Sequence, residues 1–207
     1  MPTITDRVTR PRGEDTRRRL IEAAHAQFLA QGYHGTSMRH IAQAAGLAVG
    51  GIYNHFANKE DVFVEVLDEY HPYHVIVPAL EAAQGERLED FLLQLMRLIR
   101  TAIQDQRDQL LPLIFIEMVE FRGRHIPALA ARILPAFEPF LARFSEHQAE
   151  LRPLALPVVQ RAFVGMLVGH LVTDFILQKS PIGADPSIDW LAGALDVFLH
   201  GILKDPA

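Results

Sequence analysis

Apolar residues recur three and four positions apart along most of this chain, and this spacing predicts α-helices. In the first such segment, for example, Leu20, Ala24 and Phe28 fall on one helical face. No segment shows the strict alternation of apolar and polar residues that is typical of a half-buried strand, and no internal repeat is present. We therefore expect an all-α protein.

Glycines divide the amino-terminal part into short helices. Gly32 is placed to stop a first helix that begins near Glu14, and Gly46 ends a second helix soon after it starts. A third short helix then runs to about His55. The succession of short helix, tight turn and short helix predicts an N-terminal three-helix helix-turn-helix domain over residues 14–70.

The remainder, residues 71–207, continues the helical pattern in longer pieces. Pro112 and Pro127 fit first turns of helices, whereas Pro135 and Pro139 are expected to kink or divide the helix that contains them. The predicted helices cover about 72–84, 87–106, 109–122, 126–149, 155–179 and 186–203.

The charge of the chain is distributed unevenly. The whole chain carries −5, which by itself argues against a nucleic-acid partner. Residues 1–60, however, contain eight Lys and Arg against five Asp and Glu, and residues 61–207 contain twelve against twenty. Opposite charges on two segments indicate two separate tasks, the basic one being compatible with DNA. The polar segment 1–13 is either a flexible arm or a basic arm that contacts DNA.

The composition excludes several classes of protein. The chain has no cysteine, so disulfides and cysteine-based metal sites are ruled out. Its amino terminus lacks the apolar run of a secretory signal, and no stretch approaches the roughly 18 uninterrupted apolar residues of a membrane span. We therefore expect a cytoplasmic protein without a membrane partner.

The segment TSMRHIAQAAGLAVGGIYNHF, residues 36–56, carries the functional signal. Ile41, Ile52 and Phe56 are placed to pack its two helices together, which leaves one face of the second helix free. A helix fits the major groove of B-DNA, which is about 12 Å wide. The residues expected on this free face are Val49, Gly51, Tyr53, Asn54 and, near the end, His55.

Gly50 and Gly51 are unfavourable in a short helix, at about 1 kcal/mol each relative to alanine. A bare backbone surface permits close approach to a phosphate or a base edge. Tight packing against the neighbouring helix is the alternative explanation, and for Gly50 the two are equally good. For Gly51 we favour proximity to DNA.

The stretch from Arg17 to Leu67 resembles the DNA-binding domain of the TetR (tetracycline-repressor-like) family. A long pattern at fixed spacing is far more specific than a helix-turn-helix alone. The matching residues are Ala23-Ala24, Phe28, Gly32-Tyr33, Thr36-Ser37, Ile41-Ala42, Ala45-Gly46, Gly50, Ile52-Tyr53, His55-Phe56 and Lys59-Glu60. The resemblance implies a homodimeric transcription regulator that binds double-stranded operator DNA. It also implies a repressor that a small apolar or amphipathic effector releases.

The resemblance also implies roles for individual residues. Arg39 matches a position that often reads a base, and arginine bonds guanine through two hydrogen bonds. Where the family commonly has polar residues, this chain has Ala48 and Val49, so we expect an apolar contact there, such as one to a thymine methyl group. Phosphate contacts are implied for Thr36, Ser37, Tyr53, His55 and Lys59. The alternatives are a core aromatic for Tyr53 and a buried capping imidazole for His55.

The resemblance implies that residues 71–207 form a helical ligand-binding and dimerisation domain. Two DNA-binding modules that read half-sites about 34–36 Å apart need a dimer surface, and the last two helices are the best candidates. The expected interface residues are Phe163, Leu167, Leu171, Asp174, Leu191, Leu195 and Phe198. The alternative is that both apolar stripes face the core of their own subunit.

Polar residues inside apolar stretches are the indication of an effector pocket. The expected lining residues are Met96, Glu117, Phe121, Phe140, Met166 and His170. For each polar residue a structural explanation is also open: Glu117 on a solvated helix face, and His170 paired with Asp174.

Two other functions are compatible with a helical chain. A metal-dependent enzyme could use Glu117 with Glu120, or His170 with Asp174, as ligands. The other is a ligand-binding module without DNA activity. The sequence contains no HExxH motif, no glycine-rich phosphate loop after a strand and no G-x-S-x-G motif. We therefore expect no catalytic residue, metal site or cofactor, and a protein that is not an enzyme.

Overall fold

The computed structural model describes residues 12–71, 73–103, 107–177, 180, 185 and 187–203. Within these residues the chain is helical, and the one β-type pairing is an isolated bridge between Leu151 and Leu203. The helices are α1 (Arg12–Gly35), α2 (Met38–Ala44), α3 (Val49–Ile52), α4 (Lys59–Glu69), α5 (Tyr73–Ala82), α6 (Leu88–Ile103), α7 (Arg107–Glu120), α8 (Ile126–Glu146), a 3-10 turn (Gln148–Glu150), α9 (Leu156–Leu177) and α10 (Trp190–Ile202). The predicted all-α class is confirmed. Nearly all of the segment 1–13 lies outside the described residues.

Side-chain oxygen atoms cap the amino-terminal ends of three of the helices. The Ser37 hydroxyl accepts a hydrogen bond from the His40 amide at 3.2 Å, and the Asn58 side chain accepts one from the Asp61 amide at 2.9 Å. Asp189 caps α10 in the same way. Each cap satisfies one of the amide groups that a helix start leaves without a partner.

The helix α8 continues from Ile126 to Glu146 with Pro135 and Pro139 inside it, so the expected division does not occur. Both prolines lie on the exposed side of the helix. The carbonyl groups that lose an amide donor there can bond to water instead, and this lowers the cost of proline inside a helix. Pro112 likewise lies inside α7 rather than in a first turn.

The chain packs into two compact units, one of residues 1–70 and 112–125 and one of 71–111 and 126–207. The first unit therefore includes the carboxyl-terminal part of α7, whereas the sequence had assigned all of 71–207 to the second domain. Phe121, buried on the rings of Tyr33 and Phe63, explains this difference. A contact of this kind between distant segments leaves no mark on local periodicity.

Each unit has its own apolar core. In the first unit the core includes Leu20, Phe28, Ile41, Ile52, Phe56 and Phe63. In the second unit the buried cluster includes Leu92, Leu95, Phe140, Phe144, Phe163 and Leu195. The close-packed aromatic rings of each core hold the helices of that unit in a defined arrangement.

Candidate nucleic-acid interface

Two glycines with positive φ shape the helix-turn-helix. Gly32 has φ 71° and interrupts α1 one turn before its end, and Gly46 has φ 70° in the turn between α2 and α3. Side chains other than glycine rarely adopt this conformation. Ile41 and Ile52 are fully buried, so α2 and α3 pack through these residues and turn their other faces outward.

The outward face of α3 and its following turn is exposed. Tyr53 keeps 55% of its surface accessible, which excludes the alternative of a core aromatic. Val49, Gly50 and Asn54 are exposed as well, and Gly51 is half-buried. The face predicted from the sequence is therefore available to a large partner such as a DNA groove.

The two glycines of α3 are not required by packing. A Cβ on Gly50 would meet nothing within 4 Å, and a Cβ on Gly51 would lie 4.0 Å from the Cβ of Leu47, an ordinary contact. Neither glycine has a positive φ. Packing on the neighbouring helix thus does not explain their presence.

On α2 the predicted contact residues differ in accessibility. Arg39 is exposed and free to extend toward a groove. Ser37 caps the helix as an acceptor, so its hydroxyl hydrogen can still be donated. Thr36, by contrast, is 2% exposed, and its hydroxyl donates to the Gly32 carbonyl at 2.9 Å. The backbone amide of Thr36 donates to the Tyr33 carbonyl at 3.3 Å, so Thr36 would have to rearrange to bond a phosphate.

Lys59 is engaged within the unit. Its ammonium group donates to the carbonyls of Tyr33 and Thr36 at 2.6 and 2.7 Å and lies 4.1 Å from the centre of the Tyr33 ring. Burial lowers the pKa of the Lys59 amino group, and the carboxylate of Glu120 opposes this shift. An ammonium group has three donors, so one remains for a phosphate.

His55 is half-buried at the end of the turn that follows α3. Its backbone carbonyl accepts a hydrogen bond from the guanidinium of Arg17 at 3.3 Å. A second arginine of α1, Arg19, donates to the carbonyl of Ala45 at the end of α2. Neither arginine was predicted to take part in the site. Arg19 and Ala45 are 26 residues apart in the sequence, and Arg17 and His55 are 38 residues apart. A hydrogen bond between a side chain and such a distant carbonyl has no signature in a single sequence.

The residues expected in an effector pocket are divided between the two units. Met96 and Phe140 are buried in the core of the second unit, where Met166 packs against them and His170 is half-buried. Glu117 and Phe121 belong instead to the first unit. The six residues therefore belong to two different units.

Glu117 is fully buried, which also excludes its placement on a solvated helix face. One carboxylate oxygen accepts from the backbone amide of His125 at 2.8 Å, and the other lies 2.8 Å from Nδ1 of the same residue. The Nε2 of His125 lies 3.0 Å from Glu60. Glu117 thus has a structural role in joining the end of α7 to α4.

The apolar stripes of α9 and α10 face largely inward. Of the expected interface residues, Phe163, Leu191 and Leu195 are buried in the core of their own unit, as the alternative interpretation held. Leu167, Leu171 and Phe198 are partly buried against the same core, and Asp174 is half-buried. The opposite faces of the two helices are the exposed ones. They carry Val158, Val164, Val168, Ile176, Trp190 and Val197.

Among the described residues, no group of three or more His, Cys, Asp or Glu side chains could hold a metal ion. One described helix, α9, is long and apolar enough to cross a membrane by length and composition alone.

The sequence and fold match known proteins. The family model described as "Bacterial regulatory proteins, tetR family" matches residues 20–66. AcrR of Shigella flexneri, an HTH-type transcriptional regulator, is 30% identical over 119 residues, 56% of this chain and 55% of AcrR. BepR of Brucella suis, an HTH-type transcriptional repressor, is 28% identical over 94% of this chain and 86% of BepR.

A solved structure of NalD, described as the secondary repressor of the MexAB-OprM multidrug efflux pump of Pseudomonas aeruginosa, superimposes with a TM-score of 0.66. The two sequences are 26% identical, and the match covers 93% of this chain and 99% of NalD. The helix-turn-helix with its exposed second helix defines a DNA-binding transcriptional regulator rather than an enzyme. Residues 20–66 match the TetR family of such regulators, as the sequence pattern of residues 17–67 indicated.

Proposed function

We propose that this protein is a homodimeric repressor that binds operator DNA through α2 and α3 and is released by an apolar or amphipathic small molecule. The observation that carries the proposal is the exposed face of α3 with Val49, Tyr53 and Asn54, backed by a buried Ile52. BepR and NalD are both described as repressors, which favours repression over activation. The place of action is the cytoplasm, where operator DNA is found.

Direct contacts come from both helices in this proposal. Tyr53 and Ser37 donate their hydroxyl hydrogens to phosphates, and Arg39 reads a guanine in the major groove. Val49 supplies an apolar contact to a thymine methyl group. Gly50 and Gly51 allow the backbone of α3 to come close to the DNA. His55 and the remaining donor of Lys59 complete the phosphate contacts at the edge of the module.

The dimer forms through the exposed sides of α9 and α10. An apolar surface with Val164, Val168 and Val197 outward is costly in water and is removed when two copies pair. Gly165 and Gly169 are exposed on α9 and allow close approach of a second helix. Four helices, two from each subunit, would then form a bundle. The same pairing explains why α9 has the hydropathy of a membrane helix.

The effector binds within the second unit, where Met96 and Phe140 belong to the buried cluster, Met166 packs against that cluster and His170 lies one turn further along α9. An apolar ligand fits a surrounding of this composition, and the histidine supplies a polar contact. To release the operator, the ligand must bind the released conformation more tightly than the DNA-bound one. The chain passes from α4, which ends at Glu69, to α5, which begins at Tyr73. A change in α5 is thus transmitted over a very short connection.

Selection of bound sequences from random duplex DNA tests the function. The expected result is a palindromic site with half-sites one helical turn apart, bound with a steep dependence on salt concentration. Arg39→Ala should relax the preference at one base pair in each half-site, worth about 1–3 kcal/mol. If no sequence is enriched and binding does not depend on salt concentration, the proposal is wrong.

A pair of tyrosine variants tests the assigned face. Tyr53→Phe removes only the hydroxyl and should weaken operator binding by about 1 kcal/mol per half-site, the net value of one hydrogen bond. Tyr73→Phe, which lies at the start of α5, is the matched control and should leave the affinity unchanged. Equal affinities for the two variants would show that Tyr53 does not contact the backbone of the DNA.

A further inference from the structure

The carboxyl-terminal end of α2 and the turn that follows α3 are each bonded to an arginine of α1. The guanidinium of Arg19 donates to the carbonyl of Ala45, the residue that caps α2. The guanidinium of Arg17 donates to the carbonyl of His55 at 3.3 Å, at the end of the turn that follows α3. Carbonyls at a helix end lack an amide partner within the helix, and they attract positive charge.

Further contacts fix the two arginines in place. The Arg17 guanidinium lies 4.5 Å from the centre of the Phe56 ring and 2.8 Å from the carboxylate of Glu65 on α4. Nη2 of Arg19 lies close to Gly46, since a Cβ on Gly46 would be 3.2 Å from it. Both side chains are therefore held between α1 and the helix-turn-helix.

The neighbouring Arg18 is different. It lies on the same helix and carries the same charge, but its ion pairs are with Asp15 and Glu22 of α1 itself. No bond from Arg18 to α2 or α3 is among the described contacts. The chain thus offers a control residue for the effect of charge alone.

We propose that Arg17 and Arg19 are positioning residues for operator recognition, which hold the end of α2 and the turn after α3 by backbone carbonyls and do not bond phosphates. The proposal rests on the function proposed above. Basic side chains beside a DNA-binding helix are ordinarily interpreted as phosphate contacts. Here the same side chains set the orientation at which the recognition face is presented, so their loss weakens the contacts of that face without removing a bond to a phosphate.

The salt dependence of binding separates the two roles. A lost phosphate contact lowers the slope of log affinity against log salt by about 0.9, or nearly 2 for a dimer with two half-sites. A lost positioning contact weakens binding without removing a bond to a phosphate. The measurement uses the full-length protein, a selected operator and salt concentrations from 50 to about 200 mM, the interval over which phosphate contacts have their largest effect.

We expect Arg17→Ala and Arg19→Ala to weaken binding at least tenfold, with slopes parallel to that of the wild type. Arg18→Ala should stay within twofold. A slope reduced by nearly 2 in either variant would make that arginine a phosphate contact and overturn its assignment. Affinities equal to that of Arg18→Ala would overturn it as well.

A conservative variant covers the case in which Arg19→Ala does not fold. Arg19→Lys keeps the charge but replaces the planar guanidinium by a compact ammonium group. Partial loss of affinity with an unchanged slope supports positioning, and full wild-type affinity means that charge alone suffices and contradicts it. If the wild-type protein shows no salt-dependent operator binding, the proposed function fails before any variant is compared, so the two failures are distinguishable.

Discussion

The ring of Phe121 is stacked on the ring of Phe63, with centroids 4.8 Å apart and planes inclined by 24°. Tyr33 approaches both rings edge-on, at 4.7 Å from Phe121 and 5.6 Å from Phe63. The three rings come from α1, α4 and the chain just beyond α7. This cluster makes residues 112–125 a part of the core that supports the helix-turn-helix.

The first prediction concerns this cluster. Phe121→Ala should lower the free energy of unfolding of the first unit by about 3–5 kcal/mol, because it removes a buried ring and leaves a cavity. Denaturant unfolding followed by circular dichroism gives the value. Met118→Ala, on the exposed side of α7, is the control and should cost less than about 1 kcal/mol. Equal losses for both would mean that the segment does not belong to this core.

The second prediction concerns Gly50. Gly50→Ala should stabilise the free protein by about 0.4–1 kcal/mol, because the position has helical backbone angles and open space for a Cβ. The same variant should weaken operator binding, since the methyl group occupies space that the DNA needs. Thermal unfolding and a binding titration on one sample measure both effects. A variant that is more stable and binds as well as the wild type would disprove close approach at this residue.

The third prediction concerns the dimer. Val168→Glu introduces a charge on the exposed side of α9 and should convert the dimer to monomers, with weaker operator binding as a consequence. Leu134→Glu on α8 is matched in exposure, at 53% against 54% for Val168, and should remain a dimer. Sedimentation equilibrium distinguishes the two species. If both variants remain dimeric, the dimer interface does not lie on α9.

The fourth prediction concerns acid stability. The backbone amide of Ala192 bonds the Asp189 carboxylate and lowers the pKa of that group, with Arg100 adding to the effect. A carboxyl group whose pKa is lower in the folded state stabilises the protein above its unfolded pKa of about 3.9, and this contribution is lost as the pH falls through the folded value.

Asp189→Ala should therefore cost about 1 kcal/mol near neutral pH, the usual value of a helix cap, and progressively less as the pH falls below the ordinary carboxyl pKa of about 3.9. The midpoints of unfolding of the wild type and of Asp189→Ala, measured from neutral to acid pH at one protein concentration, give the difference in stability between them. Asp196→Ala on the same helix removes a carboxylate that caps nothing and should show no comparable pH-dependent loss. A difference between wild type and Asp189→Ala that is constant with pH would contradict the role of the charged cap.

Local rules predicted the helix-turn-helix well. The helix ends expected at Gly32 and Gly46 depend only on the residue and its neighbours along the chain, and both glycines have positive φ. For the same reason the exposed positions on α3 could be named from the spacing of Ile41, Ile52 and Phe56.

Contacts between distant segments were not predictable in this way. The stretch around Glu117 is apolar enough for a pocket, and nothing local shows that the carboxylate bonds His125 and that Phe121 packs on α4. The dimer-facing side of α9 could not be predicted for a different reason. Apolar residues surround that helix, so its periodicity does not distinguish the face toward its own core from the face toward a second copy.

The side chains of Val49, Tyr53 and Asn54 project outward from α3, whereas Ile52 alone holds that single-turn helix in the core. Substitutions at the three outward positions therefore carry little folding penalty. A gene duplicate could acquire a new operator by changing them while its scaffold stays intact, and an engineer could retarget the protein by the same route. Specificity and foldability are encoded in separate residues and are free to diverge.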